Sequence, residues 1–318
     1  MHKSVAWLKF LLLVIDSRKL LRIPVVNYQL RRNPDGYSSI TPVPTANELG
    51  KFYSEQYYQS LQTVSYQETH DPLELNSITL KCSALLHTIR QAGVSDGEFL
   101  DIGAGEGFLM NEATKCGYDV TGIDVSSFAL GRIFPHLAEK LISGDLYEVL
   151  GRLRIEGRRF SVCSAINVLE RVIDSELFLS LIQRLMGPGA LLAITVPNDF
   201  SKLHELLRTN KMIDRDFWLV PPQHLHYFNS ENLQSFLCSQ GFDLLDAYSD
   251  FPIDRYLLHP GSNYVADPRK GKAAHRARLM LDLMIAESGI DSYLAVYSAL
   301  FSANIGRDVT VLIRSAVN

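Results

Sequence analysis

The sequence predicts an α/β protein built on a doubly wound parallel sheet, and three observations carry that prediction. Residues 99–107 read as a buried strand running directly into a turn with glycine at every second position, Gly103, Gly105 and Gly107. From residue 98 to residue 196, short apolar runs alternate with helix-like stretches, the pattern that right-handed crossovers between parallel strands produce. The second of these runs, residues 118–124, ends on a carboxylate, Asp124, where the ribose of a nucleotide cradled by the first turn arrives.

Taken in order, residues 1–44 form an appendage. Residues 5–15 are apolar apart from Lys9 and too short to span a hydrocarbon layer of about 30 Å, so they predict no integral membrane span. They suit a buried or oligomer-packing helix, as in a homodimer, or alternatively a peripheral helix lying on a membrane surface. The Asp16, Ser17, Arg18 run that follows is unlike the small-residue cleavage site of an export signal. Residues 22–30 are strand-like, Asn33, Pro34, Asp35 and Gly36 have turn chemistry, and Pro42 and Pro44 close the segment. Thr45 or Asn47 caps the next helix, and residues 73–92 carry apolar side chains at helical spacing. Between them lie Tyr53, Tyr57 and Tyr58, which read either as an aromatic lid on the substrate side or as core.

The first strand and its glycine turn lead into a helix over residues 108–116, and the second strand ends at Asp124 and Val125. A third strand ends near Asp145 and Leu146, a fourth covers residues 160–166 and ends at Asn167, and a fifth ends at Pro197 and Asn198. Ligands of such sheets bind outside the carboxyl ends of the strands, where Asp101, Asp124, Asp145 and Asn167 converge. Beyond residue 196 the pattern predicts helices over 204–210 and 229–240 and a strand over 242–248. A helical insertion with long helices over 272–287 and 292–303 precedes a final strand over 308–314. The chain accordingly divides into the appendage 1–44, a ligand-binding domain of residues 45–249 and 308–318, and an insertion, 250–307, suited to a lid or a dimer contact.

Two cofactor classes share a glycine turn followed by an acid. Dinucleotide sites favour a third small residue for close helix packing, and here that position is Phe108. Asp101, at the strand end, repels a pyrophosphate but suits a ligand bearing a sulfonium and an ammonium, which points to S-adenosylmethionine. The segment Asp101, Ile102, Gly103, Ala104, Gly105, Glu106, Gly107 thus resembles the first motif of the class I S-adenosylmethionine-dependent methyltransferases. The resemblance covers roughly residues 45–250 and continues downstream. Val168, Leu169, Glu170, Arg171, Val172 is similar to V-L-E-H-V; Gly187, Pro188, Gly189 to the P-G-G turn; and Val196, Pro197, Asn198 to the V-P-N exit. The segment from Pro222 to Ser230 resembles the P-x-H-x-x-Y-F-[ST] of a subgroup of polysaccharide and small-molecule tailoring enzymes.

That likeness implies a Rossmann-like sheet of seven strands, six parallel and the last antiparallel. It implies that Asp101, Gly103, Ala104, Gly105, Gly107, Asp124, Val125, Asp145, Leu146 and Asn167 bind the cofactor. Tyr53, Tyr57, Tyr58, Glu170 and Asn198 fall on the substrate side, and His224, at the P-x-H position, with His226 beside it, is the candidate general base. The chain departs from the pattern at Ser161, where an aspartate is usual, and at Arg171, where a histidine is usual. It has no cysteine before Cys82, whereas relatives with a comparable amino-terminal segment carry a zinc-binding module there.

A net charge of −4 gives no basic field for nucleic acid, so a polynucleotide partner is disfavoured. The four cysteines lack metal-ligand spacing, no metal is expected, and scattered reduced thiols suit a cytoplasmic protein. The expected reaction is methyl transfer to a small molecule, sugar nucleotide or glycan precursor, most simply at oxygen. The alternatives are N-methylation of an amino sugar, an NAD-dependent oxidoreductase, and a catalytically silent methyltransferase-like partner subunit.

Overall fold

The computed structural model describes residues 27–52 and 70–316. The expectations for the apolar stretch 5–15 and for Tyr53, Tyr57 and Tyr58 lie outside the described residues.

The described chain opens with a hairpin of β1 (Gln29–Arg32) and β2 (Ser38–Thr41). Its turn is the Asn33–Gly36 segment: the Gly36 amide donates to Asn33 O at 2.9 Å, and Gly36 takes a φ of 90° that a residue with a Cβ resists. Of the strand expected over 22–30, residues 22–26 lie outside the described residues, and β1 takes in its last two positions. Thr45, and not Asn47, caps α1 (Ala46–Phe52): the Glu48 amide donates to Thr45 Oγ1 and the Thr45 amide to Glu48 Oε2, a reciprocal capping box. Asp71 and Glu74 repeat the device at the start of α2 (Pro72–Gln91).

The central sheet follows as the alternation predicted: β3 (Glu98–Ile102), α3 (Phe108–Lys115), β4 (Asp119–Asp124), α4 (Phe128–Ile133), β5 (Leu141–Ser143), α5 (Leu146–Ile155), β6 (Phe160–Ile166), α6 (Ser175–Gln183) and β7 (Met186–Pro197). Next come α7 (Lys202–Thr209), β8 (His226–Tyr227), α8 (Ser230–Ser239), β9 (Phe242–Ser249), α9 (Gly271–Ala286), α10 (Ile290–Ala303) and β10 (Asp308–Ser315). The seven strands lie in the order β5-β4-β3-β6-β7-β10-β9. All run parallel except β10, which is antiparallel to both β7 and β9. This is the doubly wound, six-plus-one sheet expected.

Side chains alternate across the sheet and bury both faces. Leu100, Ile102, Leu192, Ile194 and Val196 enter one core layer with Phe178 and Phe236. Phe99, Val120, Leu191 and Leu312 enter the other, against Ile89 and Met110. A third apolar cluster, with Trp218, Tyr227, Phe251, Tyr293 and Tyr297, draws in residues of the 250–307 segment. There α9 packs on α2 and α10 on β9. The hairpin extends into a second, three-stranded sheet because β2 pairs with β8, Ser39 opposite His226. Among the described residues no helix is long and apolar enough to cross a membrane.

Candidate cofactor and acceptor site

The turn from β3 into α3 is tied to β4: the amides of Gly103 and Ala104 both donate to Ile123 O, at 2.7 and 3.0 Å. Gly103 adopts a φ of 75°, and a Cβ there would lie 2.4 Å from Val168 Cγ2, so only glycine lets the turn after β6 close onto this one. Gly105 also takes a positive φ, 55°, but among the described residues a Cβ on it would meet nothing nearer than 3.9 Å. The first glycine thus serves chain packing, and no described side chain crowds the second. Gly107 precedes α3 and, having no side chain, gives it no side-chain cap among the described residues.

Asp124 ends β4 with both carboxylate oxygens anchored: the Gly105 amide donates to Oδ2 at 2.9 Å and the Ser126 amide to Oδ1 at 3.0 Å. Burial pushes its carboxyl above the usual range, against the pull of those amides. Val125 beside it is largely exposed. Asp145 caps α5, its Oδ1 accepting from the amides of Tyr147 and Glu148, and Leu146 packs partly against the core. Asn167 stands at the end of β6 with a φ of 57°, its amide bonded to Thr195 O at 2.8 Å and its carbonyl accepting from Arg171 Nε.

Asp101 is placed deeper than its motif suggests. It is buried under the turn and accepts from Ser164 Oγ at 2.7 Å. Burial raises its carboxyl to about 6, the Ser164 bond opposing and the charge of Asp124 adding to the rise. Two neighbouring acids, one raised chiefly by burial and further by the other's charge, make an edge that gains from an incoming cation. The open face at Gly105, the pinned Asp124 carboxylate for paired hydroxyls and this negative edge fit an adenosyl group on a cationic sulfur.

A family profile described as a methyltransferase domain matches residues 76–247, more than half of the chain. The chain belongs to the methyltransferase domain family. With the sheet above, it is a class I, S-adenosylmethionine-dependent member. Over 153 residues it is 29% identical to a ubiquinone biosynthesis O-methyltransferase of Rhizobium etli, covering 46% of this chain and 60% of that one. Over 186 residues it is 27% identical to a protein of the same name from Agrobacterium fabrum, covering 55% and 73%. The chain spans about 60% of the length of the first of these relatives. Among solved structures, the 1,6-didemethyltoxoflavin-N1-methyltransferase of Burkholderia thailandensis aligns over 90% of this chain and 99% of its own, at 13% identity and a TM-score of 0.49. A methyltransferase from Archaeoglobus fulgidus aligns over 81% and 99%, at 15% and 0.48.

On the acceptor side of this methyltransferase, the structure separates residues the motifs grouped together. His226 is corrected as a candidate base: its Nε2 donates to Val172 O at 2.9 Å and its Nδ1 accepts from Ser39 Oγ at 2.8 Å, so neither nitrogen is left for a substrate proton. Burial lowers it to about 4. Asn198 is likewise corrected to a splice: Nδ2 donates to Gly306 O and Oδ1 accepts from the Ser230 amide, which holds β7, β10 and α8 together.

Glu170 and His224 differ from these. Both are buried beyond the carboxyl ends of β6 and β7, with His224 Nε2 at 4.0 Å from Glu170 Oε1. Among the described residues, Glu170 Oε2 and both His224 nitrogens have no hydrogen-bond partner. Burial, reinforced by Arg171 and Arg307, drives the His224 ring well below the usual imidazole range, whereas burial lifts Glu170 to about 6.

Several members of this neighbourhood escaped the sequence. Asp199 accepts from Arg307 Nη1 at 3.1 Å and is raised by burial to about 7, and Ser164 anchors Asp101. His70 Nε2 meets Glu106 Oε2 at 3.0 Å, placing a basic group against the glycine turn. No local signal marks Arg307 or His70, because each reaches its partner only through the fold. Among the described residues no group of three or more His, Cys, Asp or Glu side chains could hold a metal ion.

Proposed function

We propose that this chain transfers the methyl group of S-adenosylmethionine to a hydroxyl oxygen of a small-molecule acceptor, with sugar nucleotides and glycan precursors inside that class. The observation that carries the reading is the packing of the turn after β6 onto the glycine turn, Val168 against Gly103. It supports the reading because Val168 stands two residues before Glu170, whose carboxylate lies 4.0 Å from His224. The relatives' naming as O-methyltransferases favours oxygen over nitrogen.

The cofactor, when bound, supplies an electrophilic methyl group on positively charged sulfur. Asp124 would take the ribose hydroxyls, the Gly103 to Gly107 turn would pass close along the methionyl portion, and Asp145 would meet the adenine edge. Val125 and Leu146 would cover the base. Methyl transfer is an in-line displacement, so the remaining task of the chain is to orient the acceptor, exclude water and take up the hydroxyl proton. The buried pair beyond β6 is suited to the last two.

Calorimetry with S-adenosylhomocysteine and with NADH tests the donor: tight binding of the first and none of the second is expected, and the reverse pattern would defeat the reading. Methyl-labelled S-adenosylmethionine, incubated with the protein and the small-molecule fraction of a bacterial lysate, tests the transfer. Label in a base-stable ether is the expected product, whereas label in an amine would move the proposal to nitrogen.

A further inference from the structure

Glu170 lies two residues beyond Val168, the residue that touches the glycine turn, and is 1% exposed. Arg171 Nε holds its Oε1 at 3.0 Å and so fixes the carboxylate plane, while Oε2 has no hydrogen-bond partner among the described residues. An unsatisfied buried carboxylate oxygen is costly to fold, and a fold keeps one where a donor arrives from outside. Charged and titratable groups face this place from each element packed around it. Arg171 stands in the same turn, His224 in the loop before β8, Asp199 after β7, and Arg307 and Asp308 at the entrance to β10.

We propose that Glu170, rather than His224, accepts the proton of the hydroxyl that is methylated, and that His224 is a positioning residue beside it. This rests on the methyl-transfer reading above. The acceptor's O–H bond breaks and its proton passes to Glu170 Oε2; a bond forms between that oxygen and the methyl carbon, and the carbon–sulfur electron pair stays with sulfur. The negative charge of the carboxylate and the positive charge of the sulfonium disappear in the same step, a cancellation that a buried, weakly polarisable site favours. Were the proton to go to His224, a new cation would be left beside Arg171 and Arg307, whose charges already oppose it. The ring of His224 is instead suited, while neutral, to donate a hydrogen bond to Glu170 or to the acceptor.

The test uses the full chain, methyl-labelled S-adenosylmethionine and the small-molecule fraction of a bacterial lysate, with E170Q, E170D and H224Q beside the wild type. E170Q conserves volume and is expected to lose about 10² to 10⁴-fold in turnover while its affinity for S-adenosylhomocysteine stays within about twofold. E170D should recover at least about tenfold over E170Q, because it restores an ionisable oxygen. The acid limb of the pH profile near 6 should vanish in E170Q and persist in H224Q. A second readout needs no turnover: in protein labelled with carbon-13 at the glutamate carboxyls, the resonance missing from E170Q should titrate near 6 in the wild type. The proposal is overturned if E170Q works within about threefold of wild type, if E170D is no better than E170Q, if only H224Q erases the limb, or if that resonance titrates near 4. Wild-type protein that binds S-adenosylhomocysteine yet labels nothing overturns the methyl-transfer reading itself. That outcome is distinct from the failure of Glu170 alone, in which wild type and E170Q label equally.

Discussion

On the donor side of the sheet, the groups at the ligand edge are close in sequence and anchored by main chain: Gly105 to Asp124, Gly103 to Ile123, Tyr147 and Glu148 to Asp145. On the proposed acceptor side they come from positions as distant as Glu170, Asp199, His224 and Arg307, and Glu170 Oε2, Asp199 Oδ2 and both His224 nitrogens have no hydrogen-bond partner among the described residues. The donor edge is finished before a ligand arrives, since one cofactor serves every member of a family. The proposed acceptor edge keeps buried polar atoms unsatisfied among the described residues, and in the proposed reaction its specificity would come from what satisfies them.

The contrast can be broken at its seam. Gly103→Val puts a branched side chain at a φ of 75° and 2.4 Å from Val168, so it strikes both sides at once. The expected loss is above about 3 kcal/mol of stability, with affinity for S-adenosylhomocysteine falling more than about 100-fold. A melting temperature within a degree or two of wild type would show that the two turns are not locked together.

The histidine that the fold removed from catalysis sharpens the comparison through pH. Since His226 is lowered from an unfolded value of 6.5 to about 4, the folded state binds fewer protons there than the unfolded chain. Its contribution is complete above pH 6.5 and is lost as pH falls from 6.5 towards 4, amounting to roughly 3 kcal/mol at the acid end. Denaturant titrations of wild type and His226→Gln across that window should converge as the pH falls, and parallel curves would contradict the buried neutral ring. Activity of the variant at pH 8 should persist wherever it is folded.

On the donor side alone, Asp124→Ala should raise the dissociation constant for S-adenosylhomocysteine by roughly 1.5 to 3 kcal/mol through lost charge-assisted bonds, with a smaller change in melting temperature. An unchanged constant would remove Asp124 from the cofactor site. The smallest effect is expected from Ser164→Ala, about 0.5 to 1.5 kcal/mol in stability. Without the Ser164 hydroxyl the Asp101 carboxyl should rise further above about 6, visible as a shift of its carbon-13 titration.

Sequence alone carried the sheet, because apolar runs, glycines and strand-end acids are local and every crossover between parallel strands obeys the same handedness. It also brought the glycine turn and Asp124 to one place, the Gly105 amide donating to the Asp124 carboxylate, since a turn and the acid following the next strand are neighbours in chain as well as in space. It ranked His224 ahead of His226 only by its place at the P-x-H position, and it gave no physical ground for setting Asn198 apart from Asp199. Two histidines flanking Leu225 look alike until β2 supplies Ser39 to one and leaves the other against Glu170. Asn198 reads as a substrate residue until Gly306 and Ser230 occupy both ends of its amide. Local pattern determines which residue types stand at the strand ends; which of them remain unpartnered depends on segments from 32 to 187 positions away, and only the closed fold brings those partners within hydrogen-bond reach.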